Sequence, residues 1–236
     1  MNRRTVLVLM TAALIAGDAR AEAQPSDSRI ELLESSLSKE PASLVRRCDL
    51  IRALLGQYRH TGEPALLVRA ELHVAMALEH DAAYFEAKKM QAWAWLLSGR
   101  AEQALQAALG LNRRMPDDVE VYGYLVDAYL AMGKLEQAEE QANWMLRLRA
   151  ENPATLRAVA ELRERLGDAE GALMMWNDLY RRTAQTLTLD RAYVLARVAQ
   201  LMKKTHPARA KVVAAESLRM APDSLAAKKA VAEVVE

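Results

Sequence analysis

The sequence predicts an all-α protein, an α-solenoid of stacked antiparallel helix pairs, on three observations. First, a short phrase recurs: Ser98–Leu105 reads SGRAEQAL, Met132–Glu139 reads MGKLEQAE and Leu166–Leu173 reads LGDAEGAL. Its glycines, Gly99, Gly133 and Gly167, stand 34 residues apart. Second, apolar residues between the glycines are spaced by three and four, as in Tyr122, Leu125, Val126 and Tyr129, the period of an amphipathic helix. Third, the 236 residues are rich in Ala, Leu, Glu, Arg and Gln and hold only nine glycines and seven prolines, a composition that favours helix throughout.

Each 34-residue period accommodates two helices with the glycine at the tight turn between them. Ala104, Ala138 and Ala172 follow the glycines by five places, and Ala92, Val126 and Ala160 precede them by seven. Small residues on both helices allow close packing, and glycine supplies the positive φ that ends the first helix. One helix pair cannot bury its own apolar face, so neighbouring pairs share a continuous core. The clear repeats are 85–118, 119–152 and 153–186. Degenerate copies are expected at about 41–84, with the turn displaced to Gly62, and at 187–222, where Thr205 stands in place of the glycine. Ser224–Glu236 reads as a capping helix, and Ser28–Ser38 opens with a capping-box pattern, Ser28-x-x-Glu31. Every proline from Pro41 onward falls at a predicted helix boundary, as it must.

The N-terminus reads differently. A basic start, Met1–Arg4, precedes the 13-residue apolar run Thr5–Gly17 and small-x-small sites at Ala19–Ala21 and Ala21–Ala23. That is the order of a secretory signal peptide, with cleavage after 21 or 23, and the run is short for a membrane span. Residues 22–236 are then expected as a single solenoid in the periplasm or outside the cell, with no stable membrane insertion once the leader is removed. Arg3-Arg4 loosely matches a twin-arginine signal, but the short n-region favours ordinary secretion. With one cysteine, Cys48, no internal disulfide is possible; its apolar helical setting marks it as a small core residue.

The repeat resembles the tetratricopeptide repeat (TPR) family, whose period is 34 residues. The middle repeat matches best, with Tyr122, Val126, Tyr129, Gly133, Ala138 and Ala142 at the family's core places. The first supplies Ala92, Trp95, Gly99, Ala104 and Pro116; the third supplies Leu156, Ala160, Gly167, Ala172 and Trp176. Lys88 and Arg163 depart from the pattern. The resemblance implies a right-handed superhelix whose concave surface is lined by fixed places of each first helix. Carried over, these give Lys89, Met90, Trp93 and Leu97 in the first repeat, Tyr124 and Asp127 in the second, and Arg157 and Glu161 in the third. It also implies Glu86 and Leu96 in the first repeat, Glu120, Gly123, Leu130 and Ala131 in the second, and Ala154, Ala158, Glu164 and Arg165 in the third. The family's clamp for peptide carboxylates wants asparagine at the ninth place, where this chain has Trp93, Asp127 and Glu161, so that ligand class is disfavoured.

Chemistry is not legible in the sequence. There is no GxSxG, GxxxxGK[ST] or HExxH, the signatures of nucleophilic, phosphate and zinc-protease sites. Glu161 and Glu164 share a helix face with Arg157 and Arg165, the pattern of a solvated, ion-paired surface. The 32 basic and 31 acidic residues leave no electrostatic footprint for nucleic acid. The expectation is therefore a non-enzymatic scaffold or assembly factor, without cofactor, that holds a protein or peptide partner from the cell envelope. Trp93 with Tyr124 forms its expected aromatic anchor, the equal alternative being that Trp93 packs against a neighbouring helix or the N-terminal helices. Exported members of the family serve cytochrome c maturation, pilus assembly, outer-membrane biogenesis and polysaccharide secretion, and the resemblance implies that range. Two alternatives remain: a periplasmic ligand- or metal-binding helical protein, with His73 and His80 seven residues apart, or an accessory module of a cell-wall enzyme.

Overall fold

The computed structural model describes residues 26–235; the expected leader and its expected cleavage sites lie outside them. Twelve helices are present among the described residues: α1 (Ser26–Lys39), α2 (Leu44–Thr61), α3 (Pro64–His80), α4 (Phe85–Leu97), α5 (Ala101–Arg114), α6 (Val119–Ala131), α7 (Leu135–Arg149), α8 (Pro153–Arg165), α9 (Ala169–Arg182), α10 (Thr188–Met202), α11 (Pro207–Met220) and α12 (Leu225–Val235). The fold is an all-α helical solenoid class. The chain divides into two compact units, one ending at Ala158 and the other beginning at Val159, within α8.

The recurring glycines build one turn three times. Gly99, Gly133 and Gly167 have φ of 77°, 72° and 80°. Each donates its N–H three residues back, to Leu96, Leu130 and Glu164, and the next residue donates five back, to Trp95, Tyr129 and Arg163. That bond pair is the Schellman motif, which satisfies carbonyls left open at a helix end. A Cβ on any of these three glycines would meet nothing within 4 Å, so the backbone angle alone selects glycine. Helix starts are equally local. Asp118 accepts from the N–H groups of Glu120 and Val121, Asn152 from Ala154 and Asp168 from Gly171, each a side-chain N-cap. Pro64 and Pro207 occupy first-turn positions, where no N–H is needed.

Small residues decide the packing. Ala92, Val126, Ala160, Ala104, Ala138 and Ala172 are all fully buried, so paired helices approach closely. In the first unit α2 packs on α3, α4 on α5 and α6 on α7, and the first helices α2, α4 and α6 also touch in succession. Leu50, Ile51, Leu54 and Leu55 of α2 form its core with Ile30, Leu37, Leu66, Val74 and Met90. Cys48 is buried beside Ala77 and Ala87, and that burial pushes its thiol up to about 11. In the second unit α10 packs on α9, α11 and α12, around fully buried Trp176 and Leu195.

One boundary differs from the expected pattern. Ser28 lies inside α1, which is already helical at Ser26, so Ser28 and Glu31 do not form the helix-opening box. The local sequence offered a cap, but the helix continues past it toward the N-terminus.

Candidate functional site

Successive first helices bring one type of side chain into line. In the first unit Arg52 on α2 places Nη2 3.2 Å from Glu86 Oε2 on α4 and Nη1 3.1 Å from Glu120 Oε1 on α6. Lys89, on α4, lies among the carboxylates of Glu86, Asp118 and Glu120, at 3.4, 2.9 and 2.7 Å. Two cations thus face three carboxylates across three helices. Burial alone disfavours the Lys89 ammonium, yet hydrogen bonds to Glu120 and Asp118 more than offset it, holding its pKa above the ordinary lysine value. Burial likewise works against the Glu120 carboxylate, but Lys89 and Arg52 prevail and hold its pKa below the ordinary glutamate value. Further along, Arg157 of α8 forks onto Asp127 of α6, Nη1 to Oδ1 at 3.1 Å and Nη2 to Oδ2 at 2.9 Å. The fork crosses Gly123: a Cβ there would lie 3.8 Å from Arg157 Nη2.

The second unit repeats the arrangement with different residues. Tyr193 donates to Glu161 at 3.1 Å, and Arg197 pairs with Glu164, which also accepts from Trp176 Nε1 at 2.6 Å. Gln200 donates to Glu233 of α12 at 2.8 Å. Glu164 is held as an acceptor by a guanidinium and an indole, consistent with an ion-paired face.

Most of the residues carried over from the resemblance fall on this face, but several lie inside it. Met90 is fully buried in the α1–α4 core, and Tyr124 is 7% exposed. Burial, followed by the Glu120 carboxylate, drives the Tyr124 phenol well above its ordinary pKa. Trp93 and Leu97 are partly buried against the same core cluster, and Trp93 Cη2 lies 4.0 Å from a Cβ position on Gly56. Trp93 thus takes the packed one of its two readings, leaning on α2, and Tyr124 lies buried beside the ion-pair network. Asp127 and Arg157 are half-buried and pair with each other, whereas Glu161 accepts from Tyr193 of α10. Arg52 was not singled out from the sequence, although it precedes Glu86 by one 34-residue period and Glu120 by two.

His73 and His80 do not make a metal centre. Arg47 Nη1 lies 3.1 Å from His73 Nδ1, and burial with that guanidinium lowers the histidine's pKa. Among the described residues no group of three or more His, Cys, Asp or Glu side chains is placed to hold a metal ion.

No family model and no curated protein matches the sequence. Solved structures do. A thermophilic TPR protein of Thermus thermophilus superposes with a TM-score of 0.61 at 17% identity, over 89% of this chain and 99% of that one. PilF of Pseudomonas aeruginosa gives 0.50 at 21% identity, over 98% and 97%. A chain of the APC/C Cut9–Hcn1 hetero-tetramer gives 0.54 at 16% identity, over 100% of this chain and 53% of that one. The fold is that of TPR proteins.

Proposed function

We propose that this chain, with its TPR fold, is an exported protein-interaction scaffold that holds an envelope protein or peptide along its first-helix face. One observation carries the reading. In the first unit, charged side chains on successive first helices line up at the repeat period, with Arg52, Glu86 and Glu120 each about two-fifths exposed. Their charges are spent on each other rather than on backbone, so a partner's charged groups can exchange into the network without breaking a helix. Three carboxylates against two cations leave an excess negative charge, which suits a basic segment of the partner. The structural similarity to a chain of the Cut9–Hcn1 assembly supports protein binding as the use of this fold. Export rests on the basic start and apolar run of residues 1–17. No helix among the described residues is long and apolar enough to cross a membrane.

The test is capture from an envelope extract. Glu86→Gln with Glu120→Gln should weaken recovery of the bound partner at least about tenfold, on the scale of a lost charged contact at an interface. Unchanged recovery by the folded double variant rules out this face.

A further inference from the structure

We infer that a second binding site lies between α4 and α5, away from the ion-pair ladder, and that it takes an extended peptide carrying an acidic, an apolar and a basic residue in sequence. A groove of about 880 Å³ runs along this helix pair, with Trp95 in its wall, a size typical of ligand sites. The amide side chains of Gln91, Gln103 and Gln106 line it. None of them makes a hydrogen bond or ion pair with another described residue. An amide side chain offers both donor and acceptor, the pair of functions a peptide backbone presents.

Charge is distributed along the groove, not scattered. Lys88 near the start of α4 and Arg114 at the end of α5 mark one end, because the two helices are antiparallel. Glu102, in the first turn of α5, marks the other. Gly110 forms part of the lining between them. Glycine in a helix interior is disfavoured relative to alanine, and a Cβ at Gly110 would approach only Arg113, at 3.9 Å. A side chain at Gly110 would therefore extend into the groove and not into packed neighbours.

The helix rise sets the spacing of the ligand. Lys88 and Trp95 are seven residues apart, about 10.5 Å along α4, or about three residues of an extended peptide. Glu102 and Arg114 are twelve apart, about 18 Å, or about five peptide residues. The ligand then reads acidic, x, x, apolar, x, basic. Its carboxylate meets Lys88 and Arg114, its apolar side chain packs on Trp95 and its cation meets Glu102.

The probe is an acetylated, amidated nine-residue peptide with glutamate, leucine and lysine in that spacing on a glycine–serine background. Binding to the purified full chain is followed by the ¹⁵N–¹H signals of the tryptophan indoles, with Trp95 identified by its loss in Trp95→Phe. A saturable shift of the Trp95 signal, with the Trp144 signal unmoved, is expected. Lys88→Gln with Arg114→Gln should weaken binding at least about tenfold. Gly110→Leu, which fills the groove, should abolish it while leaving the other indole signals in place. The inference is overturned by no Trp95 shift at millimolar peptide, by equal binding of the peptide with glutamine for glutamate, by binding that survives Gly110→Leu, or by displacement of the peptide by an oligosaccharide. Because none of these variants touches Arg52, Glu86 or Glu120, failure here leaves the capture experiment on the first-helix face independent.

Discussion

The Arg52 guanidinium lies 3.1 Å from the Glu120 carboxylate, two repeat periods further along the chain. Between them sits Glu86, one period from each and 3.2 Å from the same guanidinium. The 34-residue repeat therefore orders side chains across the first helices as well as backbone turns within each pair. This is what converts a stacking rule into a surface.

Acid should reveal that network. The Glu120 carboxylate has its pKa depressed below the ordinary value of 4.5 in the folded chain. Its contribution to stability is then complete above that value and is lost as pH falls through the lower, folded one. Denaturant melts from pH 6 to pH 2 should show a stability slope below about pH 4.5 that is shallower in Glu120→Gln. Superimposable slopes would mean that Glu120 gains nothing from Lys89 and Arg52.

Lys89 should be the more sensitive member. Its side chain is 5% exposed and faces Asp118, at 14%, along with Glu86 and Glu120. Lys89→Met keeps the volume but leaves Asp118 without its cation. Loss of about 2 kcal/mol is expected, less than for a fully buried pair because Glu86 and Glu120 remain hydrated. A thermal melt that does not move would place the ammonium in solvent.

The turn and the interlock can be separated by two substitutions. Gly133→Val should destabilise by about 1–3 kcal/mol through backbone strain alone, since no atom lies near the new Cβ. Ala138→Leu should lose about 1–3 kcal/mol by overpacking a fully buried site. Helical content should survive both at low temperature, with lowered melting points by circular dichroism; two unchanged melts would contradict the repeat geometry.

Much of this fold was legible because its signals are local. A Schellman turn needs glycine at one place, and close helix packing needs alanine at another, so Gly99, Gly133 and Gly167 with their alanines exposed the repeat without tertiary knowledge. The site was less legible. Whether a first-helix residue meets solvent depends on what packs over it, and α1 and α2 turn the α4 side chains Met90 and Trp93 toward the core. Tyr124 reads as an open aromatic because its place in the repeat puts it on the concave face but says nothing of the Arg52–Glu120 pair beside it. Arg52 escaped notice for a related reason. The turn at Gly62 falls 37 residues before Gly99, which hides the register that α2 keeps with α4 and α6.

Export gives a direct covalent prediction. Protein recovered from the envelope should begin at Glu22 or Gln24, as read by intact mass and N-terminal peptide. An uncleaved chain confined to the cytoplasm would contradict the assignment.

Site-specific photo-crosslinking in living cells shows whether the first-helix face holds the partner. A benzophenone amino acid is placed at Glu86 or Ala131 on first helices, and at Trp144 or Met174 on second helices, where both side chains are exposed. A discrete crosslinked partner is expected from positions 86 and 131 and none from 144 and 174. Crosslinks confined to 144 and 174, with 86 and 131 silent, would contradict it.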